Sequence, residues 1–136
     1  MSTARYLLDT DTCIYLIKNK PPTVARKLAK LPAGHAGISV VTYGELWRGV
    51  QKSQHIERNA DALAALVTVL PVQSLAIEAG LHYGDIRATL ERAGKTIGNN
   101  DLWIAAHARA MGWTLVTNNE REFSSVSELR LQNWAK

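Results

Sequence analysis

The sequence predicts an α/β fold of three layers, α/β/α, around a mainly parallel central sheet of four or five strands. Two observations carry this. Apolar runs of about three to five residues, too short for buried helices, recur along the chain. Between them lie longer stretches whose apolar side chains recur at helical spacing, and that alternation defines a parallel sheet with crossover helices. The 136 residues fit a single domain spanning 1–136, with 46% apolar residues to build its core.

Tyr6-Leu7-Leu8 reads as the first strand, bounded by polar residues. Asp9-Thr10-Asp11-Thr12 offers helix caps, and Cys13–Ile17 continues as a short apolar helix that ends before Pro21-Pro22. A second helix over 23–31 aligns Val24, Leu28 and Leu31 on one face, and Pro32-Ala33-Gly34 breaks it. Residues 36–40 form the second strand. Thr42 and Glu45 have capping-box spacing at the start of a helix that carries Leu46, Trp47 and Val50. A helix over 56–67 precedes a short strand at 69–72, which Pro71 places near an edge. A long helix over 75–93 closes at Gly94, and the loop 96–100 leads to a helix from Asp101 to Met111 with Gly112 behind it. Residues 113–117 are the fourth strand, 118–123 a turn and short helix, and 129–131 a final strand. The chain shows no internal repeat and no dividing linker.

Lys plus Arg number 16 against 12 Asp plus Glu, a formal charge of +4 that suits a polyanionic partner such as nucleic acid. Cys13 is the only cysteine, which excludes an intrachain disulfide and a multi-cysteine zinc site and suits a reducing cytoplasm. Met1-Ser2-Thr3-Ala4-Arg5 runs straight into the first strand, whose apolar run ends at Asp9, far short of a signal-peptide core. No run approaches the ~18 apolar residues of a spanning helix, so no membrane role is expected.

The acids are the informative residues. Ligand sites in open α/β sheets lie beyond the carboxyl ends of the strands. Asp9 follows strand one, Glu45 falls early in the helix after strand two, and Asp101 opens the helix before strand four. Asn118, Asn119 and Glu120 follow strand four. Carboxylates gathered at ~5 Å repel by about 3 kcal/mol per pair at an effective dielectric of ~20. A shared proton or a hard divalent cation offsets that, and Mg²⁺ or Mn²⁺ prefers such oxygen ligands. Each acid also has a purely structural reading, as a helix cap or a first-turn acid.

The segment Tyr6–Tyr15, with Asp9-Thr10-Asp11-Thr12 at its centre, resembles the opening of PIN-domain ribonucleases, and most closely the VapC toxins of toxin–antitoxin pairs. Ile38–Leu46 is similar to their second motif, with Glu45 as its acid. Gly98–Ala108 is similar to the third, with Asp101, and Leu115–Phe123 to the fourth. The tail Leu129–Trp134 is similar as well, so the resemblance covers nearly the whole chain in register. It implies a Mg²⁺- or Mn²⁺-dependent endoribonuclease acting on RNA, with tRNA favoured. It also implies a VapB-like antitoxin that blocks the site, a homodimer, and operator DNA bound only through the antitoxin complex. Two positions depart from the family pattern. Asp11 stands where Asn is frequent, and Asn119 stands where many PIN domains carry an acid.

The expected mechanism places one or two cations on Asp9, Glu45 and Asp101, activates a water toward phosphorus, and leaves 5′-phosphate and 3′-hydroxyl ends. Asn119 joins the catalytic set. Thr10, Thr117, Asp11, Asn118 and Glu120 support it by orienting water, phosphate or metal. Lys18, Lys20, Arg26, Lys27, Lys30, Arg48 and Lys52 are candidates to border an RNA groove. His107 reads as a structural or surface histidine, Cys13 as packed, Trp47 and Trp103 as core or dimer contacts with base stacking as the alternative, and Trp134 as a pin for the tail. A different metal-dependent phosphohydrolase or DNA nuclease, and a non-enzymatic interaction module, stay open as alternatives. A phosphoacceptor domain needs a lysine after its late strand, where this chain has Asn118-Asn119.

Overall fold

The computed structural model describes residues 4–136; Met1, Ser2 and Thr3, read above as leading straight into the first strand, lie outside the described residues. Among the described residues five strands form one sheet: β1 (Tyr6–Leu8), β2 (Ala36–Ser39), β3 (Val72–Gln73), β4 (Thr114–Val116) and β5 (Leu131–Gln132), in the order β3-β2-β1-β4-β5. Every pairing is parallel. The helices are α1 (Thr10–Lys18), α2 (Pro22–Ala29), α3 (Val40–Gln51), α4 (Ile56–Val69), α5 (Ile77–Ala93), α6 (Asn99–Met111) and α7 (Glu120–Phe123).

Alternation along the central strands explains the three layers, because successive side chains of a strand point to opposite faces. Leu7 and Leu115 join one buried cluster with Ile86 and Leu90 of α5 and Leu102 and Ile104 of α6. Leu8 and Val116, one residue further on each strand, join the other with Cys13, Val24, Leu46, Val50 and Leu63 from α1 to α4. Fully burying such a side chain contributes roughly 1.5–3 kcal/mol. The sheet is thus apolar on both faces, as a parallel sheet between helices requires.

Trp134 completes the second cluster: it is buried, its ring lies 5.5 Å from that of Tyr6, and its Nε1–H donates to Gln132 Oε1 at 2.9 Å. Cys13 is fully buried, and burial pushes its thiol well above the ordinary cysteine range, so it packs as a small apolar residue. Among the described residues no helix is long and apolar enough to cross a membrane.

Several boundaries differ from the sequence reading. Thr42 and Glu45 do not form a capping box. Ser39 ends β2, and its hydroxyl accepts from the Val41 N–H at 3.0 Å, so α3 begins at Val40 and Thr42 is a buried residue inside it. α6 opens at Asn99 behind Gly98, which leaves Asp101 as the third helical residue rather than the first. The third strand is only Val72–Gln73, because α4 continues through Val69; it is an edge strand, as Pro71 suggested. The fifth strand lies at Leu131–Gln132, later than residues 129–131.

Candidate active site

The strand order fixes where a site can lie. From β1 the chain moves outward through β2 to β3, then returns to the other side of β1 for β4 and β5. The crevice at that reversal, beyond the carboxyl ends of β1 and β4, is where such sheets bind ligands. Asp9 follows β1 directly and Asn119 lies three residues past Val116 at the end of β4.

Asp9 caps α1. Its backbone is extended, its N–H donates to Val116 carbonyl at 3.0 Å, and its Oδ1 accepts from the Thr12 N–H at 2.9 Å. The Thr117 hydroxyl also bonds its carboxylate, and burial still outweighs these bonds, holding the Asp9 carboxyl above the usual carboxylate range. Capping and chemistry are therefore compatible in one side chain. Glu45 reaches the crevice from α3. Its Oε1 accepts from the Thr10 hydroxyl at 2.5 Å and its Oε2 from Asn100 Nδ2 at 3.3 Å. Asp101 enters from the first turn of α6. Burial, then the negative fields of Glu45, Glu122, Asp9 and Asp11, push its carboxyl up to about 6.

Asp9, Thr10, Asp11, Glu45, Asp101 and Asn119 line one polar cavity of about 220 Å³, floored by buried Phe123. Three sequence candidates lie elsewhere. Thr117 is fully buried and does not reach the cavity; it holds Asp9 through its hydroxyl and accepts from the Asn119 N–H at 2.8 Å. Asn118 points away, donating to the Tyr15 hydroxyl at 3.1 Å and accepting from Asn133 at 3.0 Å. Glu120 pairs with Lys136 at 3.0 Å on the surface.

The sequence reading missed Glu122. Its Oε2 accepts from Asn119 Nδ2 at 2.9 Å, and its charge acts on Asp101. Residues three apart share a helix face, so Glu122 sits with Asn119 where Glu120 turns aside. That spacing was the available signal. Of the structural and surface readings of His107 the structure takes the first: it is buried, its Nδ1 lies 2.8 Å from Ser39 Oγ, and burial lowers its pKa.

The donors are anionic oxygens, the chemistry that suits a hard divalent cation. Among the described residues no three His, Cys, Asp or Glu side chains are gathered closely enough to hold a metal between them. The set therefore fits a cation taken by one or two carboxylates and completed by water, the habit of Mg²⁺, and does not fit a closed protein cage.

A parallel sheet with acids lining a cavity at its reversal point fits the PIN-domain class of α/β proteins, and the PIN domain family matches residues 6–129. The chain is 44% identical over 131 residues to the tRNA(fMet)-specific endonuclease VapC of Shigella flexneri, covering 96% of this chain and 98% of that protein. It is 39% identical over 132 residues to ribonuclease VapC1 of Haemophilus influenzae strain R2866, with the same coverage. Among solved structures, DNA-bound VapBC from Salmonella typhimurium superposes with a TM-score of 0.91 at 38% identity, over 97% of this chain and 99% of that one. The chain belongs to the PIN-domain family and, within it, to the VapC ribonucleases.

Proposed function

We propose that this chain is a Mg²⁺- or Mn²⁺-dependent endoribonuclease, the toxin of a toxin–antitoxin pair, that cuts structured RNA, with tRNA the favoured class. One observation carries the reading: the Asp101 carboxyl is raised to about 6 inside a cavity that it shares with Asp9 and Glu45. Burial first, and then the charges of neighbouring carboxylates, raise this group, and a hard divalent cation would offset both; that supports a metal-binding reading over capping alone. The tRNA preference follows the Shigella relative, which is a tRNA(fMet)-specific endonuclease.

Asp9, Glu45 and Asp101 are assigned to hold the cation, directly or through water. When bound, it supplies charge stabilisation for the phosphodiester oxygens and lowers the pKa of a water. The Thr10 hydroxyl and the Asn100 amide fix the two oxygens of Glu45. Thr117 and the Thr12 N–H fix Asp9. Asn119 adds a neutral amide at the cavity wall, tied to Glu122, and orients water or phosphate without adding charge. The products carry 5′-phosphate and 3′-hydroxyl ends, and a 2′,3′-cyclic phosphate would exclude this mechanism.

An antitoxin is assigned to a second groove of about 330 Å³, lined by Ile14, Ile17, Leu46, Val50 and Leu63, which reaches the active-site cavity at Thr10 and Glu45. An amphipathic helix laid there ends at the acids and blocks them. Operator DNA is assigned to the toxin–antitoxin complex, as in the DNA-bound Salmonella VapBC. A second copy of the chain is assigned to the exposed apolar face of α5, where Ile77 is 87% and Leu81 72% exposed.

The test is direct. The protein is incubated with total bacterial RNA and Mg²⁺ or Mn²⁺, beside an EDTA control and a folded Asp101→Asn variant, and fragment ends are sequenced. Discrete cuts lost in both controls are expected. Cuts that survive either control, or no cuts together with no Mn²⁺ binding by calorimetry, overturn the proposal.

A further inference from the structure

A shallow, solvent-open depression of about 350 Å³ lies beside the acidic cavity and shares Glu45 and Asp101 with it as lining residues. Gly98, Asn99 and Asn100, at the start of α6, complete its lining. Its volume lies in the range of small-ligand sites, ~300–1,000 Å³.

Behind Asn99 stands a polar and aromatic cluster that the catalytic assignment does not use. The Tyr83 and Trp103 rings stack with centroids 4.0 Å apart and planes 16° apart. The Arg87 guanidinium carbon lies over the Tyr83 ring, 6.0 Å from its centroid. Arg87 Nη1 donates to the Tyr83 hydroxyl at 2.6 Å, and that hydroxyl donates to Asn99 Oδ1 at 2.5 Å. Arg87 Nη1 also reaches Asn99 Oδ1 at 3.4 Å, and Arg87 Nε reaches Glu91 at 3.4 Å.

Donor arithmetic shows what the cluster can still bind. A guanidinium carries five N–H donors. Nε and Nη1 are engaged, which leaves the Nη2 edge of a half-exposed, permanently charged side chain. The Asn99 amide has its oxygen occupied, and Asn99 lines the depression, so its remaining hydrogen-bonding capacity there is as a donor. A guanidinium plane and stacked aromatic rings, tied through Asn99 to the depression beside the acids, together match the chemistry that recognises an unpaired nucleotide. The guanidinium takes phosphate or stacks on the base, and the amide reads a base-edge acceptor.

We infer that Arg87, Tyr83, Trp103 and Asn99 form a subsite for the unpaired RNA nucleotide next to the scissile phosphate, a specificity determinant that rests on the ribonuclease reading above. Arg87 is the contact residue. Tyr83 is a positioning residue that ties Arg87 to Asn99.

The experiment measures kcat and KM on total tRNA, and in parallel the binding of a fluorescein-labelled single-stranded RNA 12-mer by anisotropy in EDTA. The proteins are wild type, Arg87→Ala, Arg87→Lys, Tyr83→Phe and, as a charge-matched control on the exposed last turn of α5, Arg92→Ala. Arg87→Ala is expected to raise both KM and Kd about tenfold and to flatten the salt dependence by about one phosphate contact. Arg87→Lys restores part of the salt slope without the planar contact, Tyr83→Phe weakens binding about threefold, and Arg92→Ala matches wild type. KM and Kd unchanged in Arg87→Ala overturn the subsite, as does a loss confined to Tm, which marks a strut between α5 and α6. A change in dimer mass with KM and Kd unchanged overturns it in favour of a protein contact. If wild type cuts no RNA, the ribonuclease reading fails, and the EDTA binding series still decides the subsite alone.

Discussion

The Thr10 hydroxyl donates to Glu45 Oε1 across 2.5 Å, joining the first residue of α1 to the sixth of α3. Thr10 Oγ1 also lies 3.3 Å from Thr42 Oγ1. One acid, Glu45 of α3, is thus placed by a hydroxyl of α1 that is adjacent in sequence to Asp9. Thr10→Val keeps the shape and removes the donor, leaving a half-buried carboxylate short of a partner. Cleavage is expected to fall roughly ten- to a hundredfold, the effect of ~1.5–3 kcal/mol for a hydrogen bond to a charged group. Thr10→Ser should retain most activity. Equal rates in wild type and Thr10→Val would remove Thr10 from the positioning role.

Asp101 sets the pH behaviour, with its carboxyl at about 6 through burial and then the charges of Glu45, Glu122, Asp9 and Asp11. A cation needs the ionised form. Mn²⁺ affinity is therefore expected to level off above pH 6 and to fall up to about tenfold per unit below it, measured by calorimetry. The metal-free fold responds in the opposite sense. Between pH 3.8 and about 6 the folded state holds a proton that the unfolded chain releases, so stability from this group declines as pH rises through that window. Asp101→Asn removes the penalty. It should raise Tm in EDTA by ~4 °C at pH 7.5, about 1 kcal/mol after discounting the solvent-open side of the cavity, with no gain at pH 4. Equal Tm for the two proteins at pH 7.5 would contradict the raised carboxyl.

Glu120 and Glu122 separate by two residues and by function. Glu122 accepts from Asn119 and acts on Asp101, whereas Glu120 pairs with Lys136 at the surface. Glu122→Gln should lower the Asp101 pKa, shift the acid limb of the pH–rate profile downward, and reduce Mn²⁺ affinity several-fold. Glu120→Gln should leave both within twofold, since an exposed ion pair contributes ~0–1 kcal/mol. Identical profiles for the two variants would exclude Glu122 from the site.

The layers and the position of the crevice were legible because they follow from local signals. Apolar runs before Asp9 and Asn118, glycines at 94 and 112, and Pro71 each reflect a backbone constraint that sequence displays. Both glycines have positive φ at helix ends, 69° and 70°. The details that stayed hidden depend on which way a side chain turns. Asn118, Asn119 and Glu120 read as one group, yet a single step along the chain turns Asn118 to Tyr15 and Asn119 to the cavity. Ser39 was hidden for another reason: it is both the last residue of β2 and the cap of α3, and Thr42 offered a plausible cap three residues on. Thr117 reads as the end of the fourth strand and as an orienting group for water or phosphate, and only its full burial shows that it stays out of the cavity and acts on Asp9 instead.

Gly37 lies in β2, between the paired strands β1 and β3, where the backbone approaches Pro71 closely. A Cβ at Gly37 would stand 2.8 Å from the Pro71 carbonyl oxygen, 3.1 Å from Gln73 Nε2 and 3.4 Å from Trp113 Cζ3. The glutamine can turn away, but the carbonyl is backbone, and it already accepts the Ile38 N–H at 3.1 Å. Relief therefore requires β3 to move off β2, which lengthens that bond and disturbs the strand that leads into Ser39 and α3. Gly37→Ala is expected to cost ~1–3 kcal/mol, the range for overpacking a filled site, and to lower Tm by roughly 3–12 °C. Because α3 carries Glu45, cleavage should fall as well, at temperatures where the variant is still folded. Gly44→Ala is the matched control: it lies on the same helix as Glu45, is exposed, and has nothing within 4 Å of the added Cβ. It should hold or slightly raise Tm by improving helix propensity. A Gly37→Ala protein as stable as wild type would show that β3 is free to shift and that the β2–β3 contact does not fix the approach of α3 to the acids.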